Sequence, residues 1–370
     1  MPYLMLAAFV GASLTAAALT LAVRQVSRRV GFVDRPNEPH KQHAAPVAYG
    51  GGVAIFLTIA LPLVAATALA RVWIAGGPPA WLPAFVQEHL PGMASKLTET
   101  IAIVAGGLIL LGLGLWDDLS ALPAWPKFGV QLIVAVLLAA FFGVRIMEFL
   151  PAPLSVVVTV VWIVFVTNAF NFLDNMDGLC AGVAAICGAI FALSAAAAGQ
   201  VFVPALAWTV VGAAVGFLLF NFAPATIYMG DAGSTVLGYF LAVLTALTTF
   251  YDERLELQPY GVLVPPVVLA VPLYDAISVI VRRLRAGHSI FRGDRRHFSH
   301  RLVQRGLPTR AAVLTIYLAT GATSLSAVLL PHADWGAACM IFAQCACVVT
   351  IIAILEYRWS AKESAPPANE

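Results

Sequence analysis

Charge is scarce in this chain. Asp, Glu, Lys and Arg make up 11% of its 370 residues, against about 25% in an ordinary soluble domain. So little charge cannot cover a water-facing surface, which excludes a soluble globular protein. No Gly-x-x-x-x-Gly-Lys-Ser/Thr segment occurs, so a P-loop nucleotide site has no support. His-Glu-x-x-His is absent too, and with it the support for a zinc protease. Five cysteines (Cys180, Cys187, Cys339, Cys345 and Cys347) lie inside apolar runs, at spacings that match no zinc or thioredoxin motif. They read as small buried apolar residues. The first apolar run has no basic residue before it and no clear cleavage site, so it reads as a retained helix.

What is present is apolar sequence in long runs. The hydrophobic share is 61% and the mean hydropathy is +0.88. A helix that crosses the hydrocarbon needs about 20 such residues. The expected fold class is an all-α polytopic membrane protein, a bundle of about eleven transmembrane helices. The spans fall near 3–23, 51–70, 100–115, 128–147, 154–170, 179–197, 202–220, 233–250, 260–281, 311–330 and 336–357. Residues 1–358 read as one integral-membrane domain, and 359–370 as a short polar tail.

Alternating the loops divides the basic residues unevenly. One set holds Arg24, Arg28, Arg29, Arg35, Lys41, Lys127, Arg358 and Lys362, and nine arginines between 282 and 310, making seventeen. The other holds Arg71, Lys96, Arg145 and Arg254. Basic loops stay in the cytoplasm, so the N-terminus is expected outside and the C-terminus inside, in the inner (plasma) membrane. Trp81, Trp125, Trp335 and Trp359 sit near span ends, where interfacial anchors belong.

The polar residues gather on the same face as the positive charge. Asp117 and Asp118 end the third span, and Asn168, Asn171, Asp174, Asn175 and Asp177 follow the fifth. Asn221 and Asp231 bracket the next short loop on that face, and Asp275 lies in the near half of the ninth span. Ionisable groups at a membrane boundary are costly without partners and point to function. Acids beside a basic loop have the composition of a metal–phosphate site, because magnesium takes oxygen ligands from one or two carboxylates and from substrate phosphates. Gly50-Gly51-Gly52 opens the second span and admits two readings: close backbone packing, or amides that face a phosphate.

Five stretches occur in a telling order between 34 and 302. They are Asp34-Arg-Pro-Asn-Glu-Pro-His-Lys41-Gln-His43; Gly114-Leu-Trp-Asp117-Asp118 with Pro126-Lys127-Phe128; and Asn168-Ala-Phe-Asn171-Phe-Leu-Asp174-Asn-Met-Asp177-Gly178-Leu179. Then come Asn221-Phe-Ala-Pro224 with Tyr228-Met-Gly-Asp231-Ala-Gly-Ser234, and Pro272-Leu-Tyr-Asp275 with Asp294-Arg-Arg-His297-Phe-Ser-His300-Arg301. Together they resemble the polyprenyl-phosphate N-acetylhexosamine-1-phosphate transferases. Two details depart from that pattern. Asp174-Asn175-Met176 stands for a first Asp-Gly-Leu and keeps its acid, and Phe298-Ser299 separates histidines that are usually clustered more densely.

The resemblance implies an enzyme with its active site on the cytoplasmic face. A lipid phosphate would attack the β-phosphorus of a UDP-sugar, releasing UMP. The implied partners are the UDP-sugar, undecaprenyl or another polyprenyl phosphate, and membrane lipids. No nucleic acid is expected, and a homodimer is admitted. The implied cofactor is Mg2+, with Mn2+ as a substitute. By motif position, Asp231 and Asp174 are the expected metal residues, and Asp117, Asp118, Asp174 and Asp177 the expected catalytic ones. Asn171, Asn221 and Tyr228 are expected at the uridine, with Lys41, His43, His297, His300 and Arg301 at phosphates.

N-acetylglucosamine-1-phosphate is the favoured group. The phospho-MurNAc-pentapeptide transferases carry a Lys-rich Gly-Thr-Pro-Thr segment where this chain has Ala45-Pro46-Val47-Ala48-Tyr49. A transporter would place its polar residues near the midplane and show repeats, and neither pattern is found here.

Overall fold

In the computed structural model the described residues are 2–34, 46–251, 255–287, 289 and 297–363, with the side chains of 356–363 excepted. Lys41, His43 and the stretch 290–296 lie outside them. Ten helices among the described residues are long and apolar enough to cross a membrane, and one bent pair brings the number to eleven. This matches the all-α polytopic expectation. The chain divides into two compact units, Met1–Thr249 and Phe250–Glu370. No boundary was expected there, because the charged stretch Asp252-Glu253-Arg254 reads as an ordinary loop between two spans.

The first unit opens with α1 (Pro2–Val30), which closes on Arg28 and Arg29. Two short antiparallel strands follow, β1 (Val33–Asp34) and β2 (Val47–Ala48), with Val33 opposite Ala48. Then come α2 (Gly51–Gly76), α3 (Ala84–Ser95), α4 (Leu97–Leu119), α5 (Ala124–Phe141), α6 (Ala152–Leu173), α7 (Leu179–Ala197), α8 (Phe202–Asn221) and α9 (Gly230–Leu247). The helix α3 was not anticipated, since its 12 residues are too few for a span. The fourth span begins at Ala124 and ends at Phe141, both earlier than expected, and its end comes where Gly143 turns the chain at φ +71°.

Helix α9 is the axis of this unit. Every residue from Ala232 to Thr245 is buried, although the segment is long enough to face lipid. Lipid tails are as apolar as leucine, so helices in a membrane associate through close packing rather than water exclusion. Small residues make that approach possible on three sides of α9. A Cβ on Gly52 of α2 would lie 2.5 Å from the Gly233 nitrogen, and one on Gly114 of α4 would lie 2.3 Å from the Ala232 Cα. Gly238 of α9 meets Thr167 of α6 in the same way, with a Cβ contact of 2.9 Å. The Tyr239 hydroxyl donates to the Ile103 carbonyl at 2.8 Å, so this buried polar group is satisfied.

The second unit contains α10 (Val264–Val268) and α11 (Ala270–Arg285), and the segment Pro259–Val268 meets α11 at 66°. The expected single span 260–281 is therefore broken. Pro272 has no amide hydrogen to donate to the Val268 carbonyl four residues before it, so the helical bonding cannot run through the bend. After them come α12 (Phe298–Gln304), α13 (Thr309–Ser324) and α14 (Trp335–Glu363). Helix α14 runs past residue 358, to Glu363. Trp81, Trp125 and Trp335 stand exposed at element ends, as anchors should.

The glycine contacts make a direct prediction. Gly114→Val has no room against α9, and overpacking of this kind costs about 1–3 kcal/mol or more. The thermal midpoint of the purified protein in detergent should fall by about 5 °C or more. Gly112→Ala, two residues away with no atom within 4 Å of its Cβ position, should leave the midpoint unchanged or slightly raised.

Candidate active site

Successive helices of the first unit bring six ends together. These are the C-termini of α4, α6 and α8 and the N-termini of α5, α7 and α9. Asp117 and Asp118 come from the first, Lys127 from the start of α5, Asn171 and Asp174 from the end of α6, and Asp231 and Ser234 from α9.

Asp118 closes the first turn of α9. A helix start leaves its first amides without partners, and a nearby side-chain oxygen normally accepts from the second or third. Met229, at the cap position, makes no such bond. Instead Asp118, more than a hundred residues earlier, accepts from the amides of Asp231 at 2.7 Å and of Ala232 at 3.3 Å. Its negative charge also suits the positive end of the helix dipole. Gly230 must be glycine for two reasons: its φ is +68°, and a Cβ there would lie 2.3 Å from Asp118 Oδ2.

Lys127 joins two acids. Its Nζ donates to Asp117 Oδ2 at 2.7 Å and to Asp231 Oδ2 at 3.2 Å. The Leu122 amide holds the other Asp117 oxygen at 2.7 Å. Asn171 donates to Ser234 Oγ at 3.1 Å, so α6 is tied to the first turn of α9. Among the described residues no salt bridge reaches Asp118 or Asp174. Burial pushes the Asp174 carboxyl well above the usual carboxylate range, and the charges of Asp231, Asp118 and Asp177 add to the shift. Four acids thus share one small region in mutual repulsion, a condition that a bound cation relieves. No three His, Cys, Asp or Glu side chains among the described residues are gathered as ligands of one ion. That pattern is compatible with magnesium, which takes few protein ligands and shares the rest with phosphate and water.

The other expected residues fall into distinct settings. Asn221 is almost fully buried and is engaged at both ends: Oδ1 accepts from the Gly178 amide at 3.0 Å, and Nδ2 donates to the Ile227 carbonyl at 3.0 Å. It fastens the loop after α8 to the start of α7. Asp177 accepts from the Ala225 amide at 2.8 Å and fastens the same loop. Tyr228 meets Tyr49 edge-on at 5.7 Å, and Tyr49 meets Phe32 at 5.6 Å. Burial, then Asp177, Asp34 and Asp174, push the Tyr228 hydroxyl up to about 12, so it remains a proton donor at neutral pH. Of the two readings of the glycine run, packing is the one seen. The Gly51 and Gly52 amides donate to the Tyr228 and Met229 carbonyls.

His297, His300 and Arg301 belong to the second unit. His297 and Asp275 are buried together, with Nδ1 2.8 Å from Asp275 Oδ2, and the Phe298 amide donates to the other oxygen at 3.1 Å. Arg301 is also buried, and the His300 ring lies 6.5 Å from that of His297.

The sequence reading quoted Lys127 in a motif without giving it a role. A cation in the first turn of a helix is unfavourable to the dipole, so a lysine there needs acidic partners. That signal was available.

A family profile, "Glycosyl transferase family 4", matches residues 100–249, which carry most of the carboxylates above. The "Probable undecaprenyl-phosphate N-acetylglucosaminyl 1-phosphate transferase" of Bacillus subtilis (strain 168) is 32% identical over 346 residues, covering 90% of this chain and 87% of that protein. The chain belongs to glycosyl transferase family 4. Another member, the "Decaprenyl-phosphate N-acetylglucosaminephosphotransferase" of Mycobacterium tuberculosis (strain ATCC 25618 / H37Rv), is 33% identical, covering 85% of this chain and 80% of its own. The "Undecaprenyl-phosphate alpha-N-acetylglucosaminyl 1-phosphate transferase" of Escherichia coli (strain K12) is 25% identical, over 84% and 80%.

Asp118→Ala leaves two helix-start amides without their acceptor, at a cost of about 1–3 kcal/mol. The thermal midpoint should drop by several degrees. Asp118→Asn, which keeps an accepting oxygen, should recover part of the loss in the same melting experiment.

Proposed function

We propose that this member of the family transfers N-acetylglucosamine-1-phosphate from UDP-N-acetylglucosamine to undecaprenyl or another polyprenyl phosphate. UMP is released, and the product starts a cell-envelope glycan. The carboxylate group around the first turn of α9 carries this reading, and the names of the relatives support the sugar. The excess of basic residues on the same loops supports a cytoplasmic site, in the plasma membrane.

A lipid phosphate oxygen forms a bond to the β-phosphorus of the donor, and the bond from that phosphorus to the bridging oxygen of UMP breaks. Positioning and charge stabilisation supply most of the catalysis in phosphoryl transfer. The donor set contains only hard oxygen atoms, which fits Mg2+ with Mn2+ as a substitute. Asp231 and Asp174 would hold the ion, which supplies neutralisation of the diphosphate charge. Asp118 fixes Asp231 by holding its amide. Lys127 orients Asp117 and Asp231 together, and its remaining donor hydrogen can meet a phosphate. Asn221 and Asp177 hold the loop that presents Tyr228 to the uracil. Lys41, His43, His297, His300 and Arg301 are assigned to phosphate contact or its support.

Asp117 acts by position rather than as a base. A phosphate monoester has its second pKa near 6, so the lipid phosphate is already largely ionised at neutral pH. Asp117 is also already occupied by Lys127 and the Leu122 amide.

The reaction is tested with purified protein in detergent, undecaprenyl phosphate, magnesium and a panel of UDP-sugars. UMP release and lipid-linked product should appear with UDP-N-acetylglucosamine and stop with EDTA. Asp231→Asn should lower the rate by roughly 100-fold or more, since several kcal/mol of charge stabilisation is lost. No turnover with any donor, from folded protein that binds the lipid, would overturn the reading. A rate–pH profile of Asp117→Asn separates position from base. The positioning role expects the loss to persist at pH 9, whereas full recovery there would establish the base.

A further inference from the structure

A second site lies at the opposite end of the same helices. Between α3, α4 and the α7–α8 turn is a cavity of about 440 Å³, within the range of small-molecule sites. Thr100 on its wall and Asp117 are seventeen residues apart on α4, which is about 25 Å at 1.5 Å per residue. The cavity is therefore separate from the carboxylate site, in the other leaflet.

Its interior and its rim differ in chemistry. Leu63, Ile103, Leu206 and Leu247 line the interior. On the rim, Lys96 Nζ lies 2.5 Å from Glu99 Oε2, which makes the pair neutral. His89 also faces the cavity, and its Nδ1 hydrogen-bonds the Phe85 carbonyl at 2.7 Å. That bond places the hydrogen on Nδ1, so Nε2 of the neutral ring is an acceptor. Thr100 lines the same space and is 2% exposed. The Gln200 side chain is already used, on the Leu247 carbonyl and the Thr249 amide.

We propose that this cavity binds a zwitterionic phospholipid with a primary ammonium headgroup. An acyl chain enters the apolar interior. The phosphate meets Lys96, the ammonium meets Glu99 and His89 Nε2, and a glycerol-ester carbonyl accepts from Thr100. A neutral rim with paired charges selects a net-neutral headgroup, because an anionic lipid brings its charge against Glu99 with no ammonium to offset it. The site is independent of the transferase reading.

The test uses the full-length protein, delipidated in detergent. It is titrated with phosphatidylethanolamine and with phosphatidylglycerol of the same chains, and bound lipid is counted by native mass spectrometry. Phosphatidylethanolamine should be retained about fivefold more strongly, the scale of an exposed charge pair. Glu99→Gln should reverse the preference toward phosphatidylglycerol. Ile103→Trp should fill the interior and lower retention of both lipids about tenfold. Thermal midpoint and monodispersity report folding, and Glu99→Gln alone decides the headgroup if Ile103→Trp fails to fold. Equal retention of the two lipids by the wild type, or a preference unchanged in Glu99→Gln, overturns the proposal.

Discussion

The first amides of a helix have no partner within it and need acceptors from a side chain, water or a ligand. At the start of α9 that acceptor is the Asp118 carboxylate from α4. The rest of the first unit is arranged around this bond. It requires α4 and α9 to approach at backbone distance, hence Gly114 against Ala232 and glycine at 230. It fixes the direction in which Asp231 leaves its helix. It also puts a second negative charge beside Asp231, and Lys127 compensates for part of the resulting repulsion. The order of cause runs from an unsatisfied backbone group to a concentrated electrostatic site.

The two acids of the Asp117-Asp118 pair therefore do different work, although they are adjacent. Asp117 faces Lys127 and the Leu122 amide, and Asp118 faces the α9 backbone. Neighbours on a helix point about 100° apart, as 3.6 residues per turn dictates. The same division recurs beyond α6. Asp174 stays among the carboxylates, while Asp177 and Asn221 secure the loop that carries Tyr228.

Much of this was legible in the sequence because membrane helices announce themselves by run length. Ten spans fell close to their observed positions, and the carboxylates stood out against apolar surroundings. The details that escaped depend on contacts distant in the chain. No local pattern shows that Asp118 caps a helix starting at 230, or that Asn221 spends its whole amide on Gly178 and Ile227. The bend between α10 and α11 was signalled by Pro272, yet the run stayed apolar enough to read as one crossing. The helix α3 is short and mixed in composition, so neither run length nor motif marked it.

The burial of α9 has a mechanical consequence. A helix that touches lipid must tilt or shift when bilayer thickness changes. From Ala232 to Thr245, α9 meets protein on all sides, so such strain falls first on the outer helices. Asp231 is thus carried on the best-insulated rod in the unit, and its reach toward a phosphate is set by protein packing rather than by the surrounding lipid.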